Sequence, residues 1–274
     1  MSAPYPERYP VRLALHHWII GIPLVLVRLS LAGAYLLLLS LIVPAAKGLF
    51  AGGRPGARRF RRRLTRFSGR LFVFLVGGMI RRRGKRPAEG SFVVSNHRSW
   101  LDSLVYGAEL GAVFVVHDAV RRWPLIGATV AAFGHLFIDR ASLREIAPII
   151  AAVDRSLQAG ETVVLFPEAA TADGLREPLL PFKSALLEAA IRTERPIRCA
   201  ALEYRTPPGW PDASAMVAWA DWTPFFVHAT RMMMLPWFLI EIDYIEKEIR
   251  GESRKEAARA AREMIAERLG VKEL

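Results

Sequence analysis

Short apolar runs alternate with longer amphipathic stretches along the chain from about residue 87 onwards. Six runs have the length and composition of buried strands: SFVVS (91–95), AVFVV (112–116), HLFID (135–139), TVVLF (162–166), IRCAAL (197–202) and FLIEIDY (238–244). Helical patterns lie near 99–110, 142–158, 183–193 and 253–269. This alternation predicts an α/β domain with a mostly parallel sheet flanked by helices.

The N-terminal part of the chain is almost continuously apolar. Arg28 is the one charged residue between positions 18 and 46, and residues 29–46 are uncharged over eighteen positions. That length corresponds to about 27 Å of helix, close to the hydrocarbon thickness of a bilayer. We expect a membrane-anchoring helix. A secretory signal peptide is the alternative, with PAAKG after Val43 as a cleavage-like string, but its apolar core is usually only about 7–15 residues long.

Basic residues are concentrated directly after this apolar segment. Residues 54–86 contain twelve Arg and one Lys without Asp or Glu, so their +13 exceeds the whole chain's +12 and the rest carries −1. Beside an apolar segment, such a block indicates an anionic membrane face rather than nucleic acid. The positive-inside tendency places the block and everything downstream on the cytoplasmic side of the inner membrane. We therefore expect membrane lipids, and no nucleic acid, as partners.

A change of composition in GKRPAEGS, residues 84–91, predicts a domain boundary. Residues 1–86 are predicted to form a membrane-anchoring segment with an arginine-rich interfacial stretch, and residues 87–274 to form the α/β domain. The apolar run 71–80 is too short to span a bilayer. It is either an interfacial or re-entrant element or an ordinary core helix.

The string SNHRSWLDS, residues 95–103, places a histidine and an aspartate between a predicted strand and a predicted helix. His97 falls just outside the carboxyl end of the strand, where ligands of open α/β sheets collect. Positions five apart in one helix point about 140° away from each other, so His97 can meet Asp102 only if His97 precedes the helix. Asp102 then accepts the Nδ1 proton, and Nε2 is left to take a proton from an alcohol.

The same residues also have a purely structural interpretation. In that interpretation Ser99 caps the helix, Asp102 interacts favourably with the helix dipole, and His97 is a loop residue. The two interpretations predict different contacts for Asp102, so the geometry of this loop distinguishes them.

Four strings occur in the order NHRSWLD (96–102), GHLFIDR (134–140), FPEAATADG (166–174) and PIRCAALEY (196–204). In order and spacing they resemble the glycerolipid acyltransferase family, which contains the bacterial 1-acylglycerol-3-phosphate acyltransferases, over roughly residues 70–250. The resemblance implies fatty acyl transfer from acyl-CoA or acyl carrier protein to the free hydroxyl of a lysolipid, with 87–274 as the acyltransferase domain. No cofactor is implied, because the thioester is already activated. No metal site is predicted, since the spacing of His117, Asp118 and His135 fits no familiar zinc pattern.

The resemblance also implies roles for individual residues. It makes His97 the general base, Asp102 its orienting partner, and Arg140 the group that holds an anionic part of the acceptor. The remaining substrate-binding candidates are Gly134, Pro167, Glu168 and Lys183. Gly134 permits a close turn before a strand, and an arginine fork matches phosphate or carboxylate.

Simpler roles remain open for three of these residues. Arg140 can form a surface ion pair with Asp139, which contributes little. Glu168 can cap the turn that follows Pro167, and Lys183 can be a solvated residue at a helix start.

The third string departs from the family pattern. It often reads Phe-Pro-Glu-Gly-Thr-Arg, whereas Ala169, Ala170 and Thr171 follow Glu168 here. The difference removes a glycine with freedom at φ > 0 and an arginine suited to phosphate. The longer string from position 166 to 190 resembles the branch that contains lyso-ornithine lipid acyltransferases.

We therefore expect a membrane-bound O-acyltransferase that converts 1-acylglycerol-3-phosphate to phosphatidic acid. Lyso-ornithine lipid is the alternative acceptor. A catalytically silent lipid-binding protein of the same fold is the alternative from another functional class, motivated by the altered third string. The retained His97, Asp102, Arg140 and Glu168 favour the enzyme.

Overall fold

The computed structural model describes residues 11–45, 55–139, 144, 146–172, 177–220, 223–250 and 253–271. Its strands are β1 Gly78–Arg83, β2 Phe92–Ser95, β3 Val113–His117, β4 Leu136–Ile138, β5 Val163–Leu165, β6 Ile197–Arg205 and β7 Phe238–Ile249. Its α-helices are α1 Leu15–Ala45, α2 Pro55–Leu75, α3 Leu101–Leu110, α4 Ile126–Ala132, α5 Ile146–Gln158, α6 Glu188–Arg192, α7 Ala213–Met216, α8 Phe225–Met233 and α9 Arg254–Leu269. Short 3-10 helices span Asp118–Arg122 and Ala185–Leu187.

The described strands form one seven-stranded sheet in the order β1-β7-β6-β2-β5-β3-β4. The block β6-β2-β5-β3-β4 is parallel throughout, β7 runs antiparallel to β6, and β1 runs parallel to β7. The predicted mostly parallel sheet flanked by helices is confirmed, and each of the six predicted strands is present. β2 lies inside the parallel block between β6 and β5, so the loop that follows it emerges between two neighbouring strands.

Alternate side chains of β2 pack into two different apolar cores, one on each face of the sheet. Phe92 and Val94 of β2 pack with residues of α5 and α9. Val93 points to the other face, where it packs with residues of α2 and α3. The period-2 alternation of a strand that is buried on both faces explains why its sequence is a continuous apolar run.

The apolar run 71–80 is divided between two elements, which differs from both interpretations offered by the sequence. Phe72 and Val73 belong to the last turn of α2 and are buried, at 7% and 2% exposure. Gly77, at φ +93°, ends the helical region, and β1 begins at the next residue. β1 pairs with β7 in the sheet, so the chain before the predicted boundary at residue 86 contributes a strand to the α/β domain.

Many arginines of the basic block pair with carboxylates of the α/β domain. Arg62 lies 2.6 Å from Glu89. Arg86 binds Glu109 through two hydrogen bonds of 2.9 and 2.7 Å. The further pairs are Arg61 with Glu161, Arg82 with Glu109, and Arg81 and Arg83 with Glu241. These contacts attach α2 and β1 to the domain, a role that the sequence pattern did not indicate.

α1 is long and apolar enough to cross a membrane, since an 18-residue window within Leu15–Val43 has a mean hydropathy of 2.2. It nevertheless contacts the α/β domain at its beginning, middle and end. His17 hydrogen-bonds the carbonyl oxygen of Gly209 at 2.9 Å, and Val43 is fully buried in a cluster with the end of α4. The guanidinium of Arg28 donates to the backbone carbonyls of Met233, Leu235 and Pro236. The one charge in the apolar segment therefore caps the C-terminal end of α8.

Candidate active site

The loop between β2 and α3 is held in place by buried polar side chains. The Asn96 amide donates to the carbonyl oxygen of Leu202 at 2.8 Å and accepts from the N–H of the same residue at 2.7 Å, which joins the loop to β6. The hydroxyls of Ser95 and Tyr106 hydrogen-bond at 2.6 Å. Asn96 and Ser95 are fully buried. Because these groups are paired away from water, the loop has a defined conformation.

His97 and Asp102 meet in the way that the sequence predicts. Nδ1 of His97 lies 2.7 Å from Oδ2 of Asp102, and the backbone N–H groups of Arg98 and Ser99 donate to the same oxygen at 2.6 and 3.0 Å. Asp102 is fully buried. A carboxylate only accepts, so Nδ1 carries the proton and Nε2 presents its lone pair. The His97 side chain keeps 13% of its exposure, which leaves it reachable.

The structural alternative for this loop does not match the geometry. Trp100 is the N-cap of α3 and forms no capping hydrogen bond through its side chain. The Ser99 hydroxyl lies 3.5 Å from the N–H of Leu101, at the limit of a hydrogen bond. Asp102 accepts the backbone N–H groups of the loop instead, so those two donors are engaged and cannot also bind an oxyanion.

Tyr204 is a site residue that sequence reasoning missed. It lies in β6, 102 positions after Asp102, and its hydroxyl donates to Oδ1 of that carboxylate. Burial raises the pKa of Tyr204 well above its usual value, and the Asp102 charge adds to the effect. The hydroxyl therefore stays protonated and remains a donor. Its position at the end of the fourth string, PIRCAALEY, was the available signal.

Glu168 connects the loop after β5 to the His97 loop. Its Oε1 accepts the N–H of His97 at 2.6 Å, and its Oε2 accepts the N–H of Leu180 at 2.7 Å. Only 3% of Glu168 is exposed. Burial raises its pKa from 4.5 to about 8, while the two backbone N–H groups oppose that rise. Glu168 thus holds the backbone of the candidate base in place.

Glu168→Gln is expected to lower the free energy of unfolding by about 1–3 kcal/mol, because one of the two backbone N–H groups loses its acceptor and faces an amide N–H. Chemical unfolding of the detergent-solubilised protein measures this. Glu203→Gln is the matched control, at a side chain that is 41% exposed, with an expected change within about 0.5 kcal/mol. Equal stability of Glu168→Gln and wild type would contradict the bridging role.

The free energy of unfolding should depend on pH differently in wild type and in Glu168→Gln. The pKa of Glu168 is raised in the folded state from 4.5 to about 8. The stabilisation that its protonated form contributes is therefore complete below pH 4.5 and is lost as the pH rises through 8. The glutamine variant lacks this titration. The stability difference between wild type and Glu168→Gln should therefore narrow as pH is raised.

The other predicted site residues are placed as follows. The carbonyl oxygen of Pro167 accepts the N–H of Lys183 at 2.9 Å, but the Lys183 side chain is exposed. Gly134 lies just before the start of β4, whereas His97 lies beyond the carboxyl end of the parallel strand β2, so the two are at opposite ends of the sheet. A Cβ atom at position 134 would come within 2.5 Å of the Arg61 side chain. The predicted contact of Gly134 with substrate is therefore not supported by its position, and its turn serves local packing. Arg140 lies outside the described residues.

Aromatic side chains line the surroundings of His97. Phe166 stacks on the His97 ring at 4.3 Å with an interplanar angle of 14°. Trp100 donates its indole N–H to Nδ1 of the fully buried His228 at 3.1 Å, and it lies edge-to-face with Phe225 at 5.0 Å. The N–H of Trp219 donates to the carbonyl oxygen of Arg98 at 2.8 Å. These contacts join the α8 region to the loop between β2 and α3 and surround that loop with apolar surface.

Ala169 adopts a left-handed conformation, at φ +57°. This is the position at which the family pattern has glycine, a residue that adopts positive φ without strain. A residue with a Cβ is strained in this region.

Ala169→Gly is expected to raise the free energy of unfolding by about 1 kcal/mol, because glycine removes that strain. Thermal or chemical unfolding tests the change. Ala170 is next in the chain and is not among the residues at positive φ, so Ala170→Gly is the matched control and should be neutral or destabilising. The opposite order of stabilities would be inconsistent with a strained Ala169.

Two cavities of about 390 and 240 Å³ lie at the opposite end of the domain from His97. The larger is bordered by Gly90 and Arg195, just before β2 and β6, and by Glu248 at the end of β7. Its Arg198 pairs with Glu248 at 2.8 Å. Most arginines that line the two cavities form ion pairs or hydrogen bonds within the protein. Neither cavity includes a residue of the candidate site.

Comparison with known proteins agrees with this geometry. The family model described as Acyltransferase matches residues 79–203. A 1-acyl-sn-glycerol-3-phosphate acyltransferase of Neisseria gonorrhoeae is 37% identical over 153 residues, which cover 56% of this chain and 59% of the relative. The chain thus matches only about three fifths of that relative's length. A lyso-ornithine lipid O-acyltransferase of Pseudomonas aeruginosa is 30% identical over 214 residues, 77% of this chain and 81% of the relative.

A solved structure has the same fold. The 1-acyl-sn-glycerophosphate (LPA) acyltransferase PlsC of Thermotoga maritima superposes with a TM-score of 0.69 over 93% of this chain and 96% of its own, at 17% identity. The match along most of the Pseudomonas relative confirms the resemblance seen in the four strings: the chain belongs to the glycerolipid acyltransferase family.

Proposed function

We propose that this protein transfers a fatty acyl group from acyl-CoA or acyl carrier protein to the free hydroxyl of a lysolipid at a membrane surface. The observation that carries the proposal is the His97–Asp102 pair, in which Nδ1 is engaged and Nε2 is left for a substrate. Its place at the carboxyl end of β2 is where ligands of parallel sheets bind.

The chemistry proceeds without a serine on the protein, since the substrate supplies the hydroxyl. Nε2 of His97 takes the hydroxyl proton while the oxygen attacks the thioester carbonyl carbon. The tetrahedral oxyanion collapses, the carbon–sulfur bond breaks, and the imidazolium returns the proton to the departing sulfur. Asp102 balances the transient charge on His97. The products are an ester and a free thiol, and no cofactor beyond the thioester is needed.

The acceptor that we propose first is 1-acylglycerol-3-phosphate, which gives phosphatidic acid. It is the substrate named for the Neisseria relative. Lyso-ornithine lipid is the second candidate, for two reasons. The third string has no arginine after Glu168, and the Pseudomonas relative, which the chain matches over 81% of its length, is named for that acceptor. Arg140 and Lys183 are the candidate contacts to the acceptor head group.

The membrane is approached through α1 and α2. α1 buries one side against the domain and exposes apolar side chains on the other, such as Ile19, Leu26 and Leu41. On α2, Phe60, Phe67 and Phe74 are exposed at intervals of two helical turns. Aromatic and arginine side chains on one exposed stripe suit a lipid interface. We place the protein at the inner membrane with its domain on the cytoplasmic side, in line with its arginine excess.

An acyl-transfer assay with membranes that contain the protein tests the function. Labelled acyl-CoA and acyl carrier protein are each offered with 1-acylglycerol-3-phosphate and, separately, with lyso-ornithine lipid. Membranes with the His97→Ala variant provide the background. Transfer to the phosphate lipid supports the first acceptor, and transfer only to the ornithine lipid selects the second. Binding of either lysolipid without turnover would instead support a silent lipid-binding protein.

A further inference from the structure

We propose that Tyr204 is a positioning residue that holds the Asp102 carboxylate in the orientation in which it can engage His97. The proposal rests on the proposed function, because it assigns a role within that reaction. Tyr204 comes from β6, whereas His97 lies in the loop after β2 and Asp102 in the first turn of α3. The tyrosine therefore connects the pair to a second strand of the sheet.

The two oxygens of Asp102 are occupied unequally. Oδ2 accepts from Nδ1 of His97 and from the N–H groups of Arg98 and Ser99. Among the described residues, the Tyr204 hydroxyl is the partner of Oδ1. A buried carboxylate oxygen without a donor is costly, so loss of this hydroxyl favours rotation of the carboxylate away from its present plane.

Tyr204 is itself fixed by packing. Its ring lies 6.3 Å from that of Phe238, a fully buried residue of β7. In the register between β6 and β7, Tyr204 is opposite Ile240. The hydroxyl is thus presented from a rigid strand rather than from a loop, which suits a group that sets an angle.

The charge on Asp102 also depends on this contact. A hydrogen bond donated to a carboxylate spreads its charge and weakens its hold on other protons. Without the hydroxyl, Asp102 attracts the Nδ1 proton of His97 more strongly, and His97 keeps its second proton to higher pH. The other titratable or charged groups near the pair are Arg98 of the same loop, Tyr106 of α3 and Glu168 after β5.

Tyr204→Phe is expected to lower kcat about tenfold or more and to leave KM for both substrates within about twofold, because the hydroxyl is engaged with Oδ1 of Asp102. The acid limb of the pH–rate profile should move upward by about half to one pH unit. Tyr244→Phe is the matched control. Tyr244 is buried in β7, and its hydroxyl has no hydrogen-bond partner among the described residues, so its removal should leave both quantities unchanged.

A second readout is independent of acyl transfer. The NMR resonance of the His97 imidazole is identified by its absence in His97→Ala. It is followed as a function of pH in wild type and in Tyr204→Phe. The pH midpoint of its titration should be higher in Tyr204→Phe than in wild type. An unmoved midpoint overturns the positioning role, even if kcat falls. If the His97 midpoint moves upward in Tyr204→Phe but the wild-type protein transfers no acyl group to any acceptor, the proposed function is refuted and the role of Tyr204 is left intact.

Discussion

His97→Ala should lower the rate of acyl transfer by about 10²–10⁴-fold, the usual contribution of a general base. The imidazole is the group in this loop that can take a proton from a hydroxyl, because Nδ1 is engaged with Asp102 and Nε2 is not bound to any residue that the structure describes. Replacement of the imidazole by a methyl group leaves two contacts of the loop in place: the hydrogen bond of the Asn96 amide to Leu202, and the bond from the backbone N–H of residue 97 to Glu168. The loop should therefore retain its conformation.

The measurement is the initial rate of acyl transfer at saturating donor, with the amount of protein in the membrane held equal. Unfolding temperature and the membrane-bound fraction are recorded for both proteins, and both should be unchanged within error. His16→Ala, a change at an exposed histidine of α1, is the matched control and should keep wild-type activity. A His97→Ala protein with more than about a tenth of the wild-type rate would rule out general-base catalysis by this residue.

Asp102→Asn should lower kcat by about 10²–10⁴-fold with little change in KM, by the loss of the charge that stabilises the imidazolium. The amide can keep its oxygen toward His97 and the two backbone N–H groups, with its nitrogen toward Tyr204. The hydroxyl of Tyr204 then accepts instead of donating. The fold survives in this arrangement, but the base has lost its counter-charge.

Asp212→Asn provides a matched control for that variant. Asp212 is an exposed carboxylate that accepts the N–H of Ser214 at 2.8 Å as the N-cap of α7. Asparagine caps equally well, so stability and activity should both be preserved. If Asp102→Asn retained activity like Asp212→Asn, the carboxylate at 102 would be structural, and the His–Asp mechanism would have to be abandoned.

Asp102→Asn and Tyr204→Phe act on the same contact in opposite directions. The first removes the negative charge that His97 faces, and the second concentrates it. The acid limb of the rate profile should therefore move to lower pH in Asp102→Asn and to higher pH in Tyr204→Phe. A common direction of movement would show that both variants act through disorder of the loop rather than through charge.

The sequence predicted those features that depend on neighbouring residues. Alternation of apolar runs with helical patterns was sufficient for the six strands and for the parallel sheet. The place of His97 before the helix followed from the angle between positions five apart, and the contact with Asp102 is present at 2.7 Å. By contrast, β1 was missed, because GMIRRR carries three arginines and becomes a strand only when β7 lies beside it.

Tertiary structure decided the partners of charged and polar groups. The arginines of residues 54–86 look like lipid ligands by composition, yet several bind Glu89, Glu109 and Glu241, which are distant in sequence or lie in another element. Glu168 reaches the His97 backbone from 71 positions away, and Tyr204 reaches Asp102 from 102 positions away. No local pattern encodes such distances, since the sheet order alone brings β5, β2 and β6 together.

The sequence by itself therefore determined the family, the fold class and the pairing of His97 with Asp102. These follow from short strings in which local geometry fixes the chemistry. Only the tertiary structure decided that α1 is attached to the domain through Arg28, that Glu168 binds the backbone of His97, and that Tyr204 completes the contacts of the Asp102 carboxylate. Each of these depends on burial, because a polar group removed from water must find whatever partner the packed chain provides.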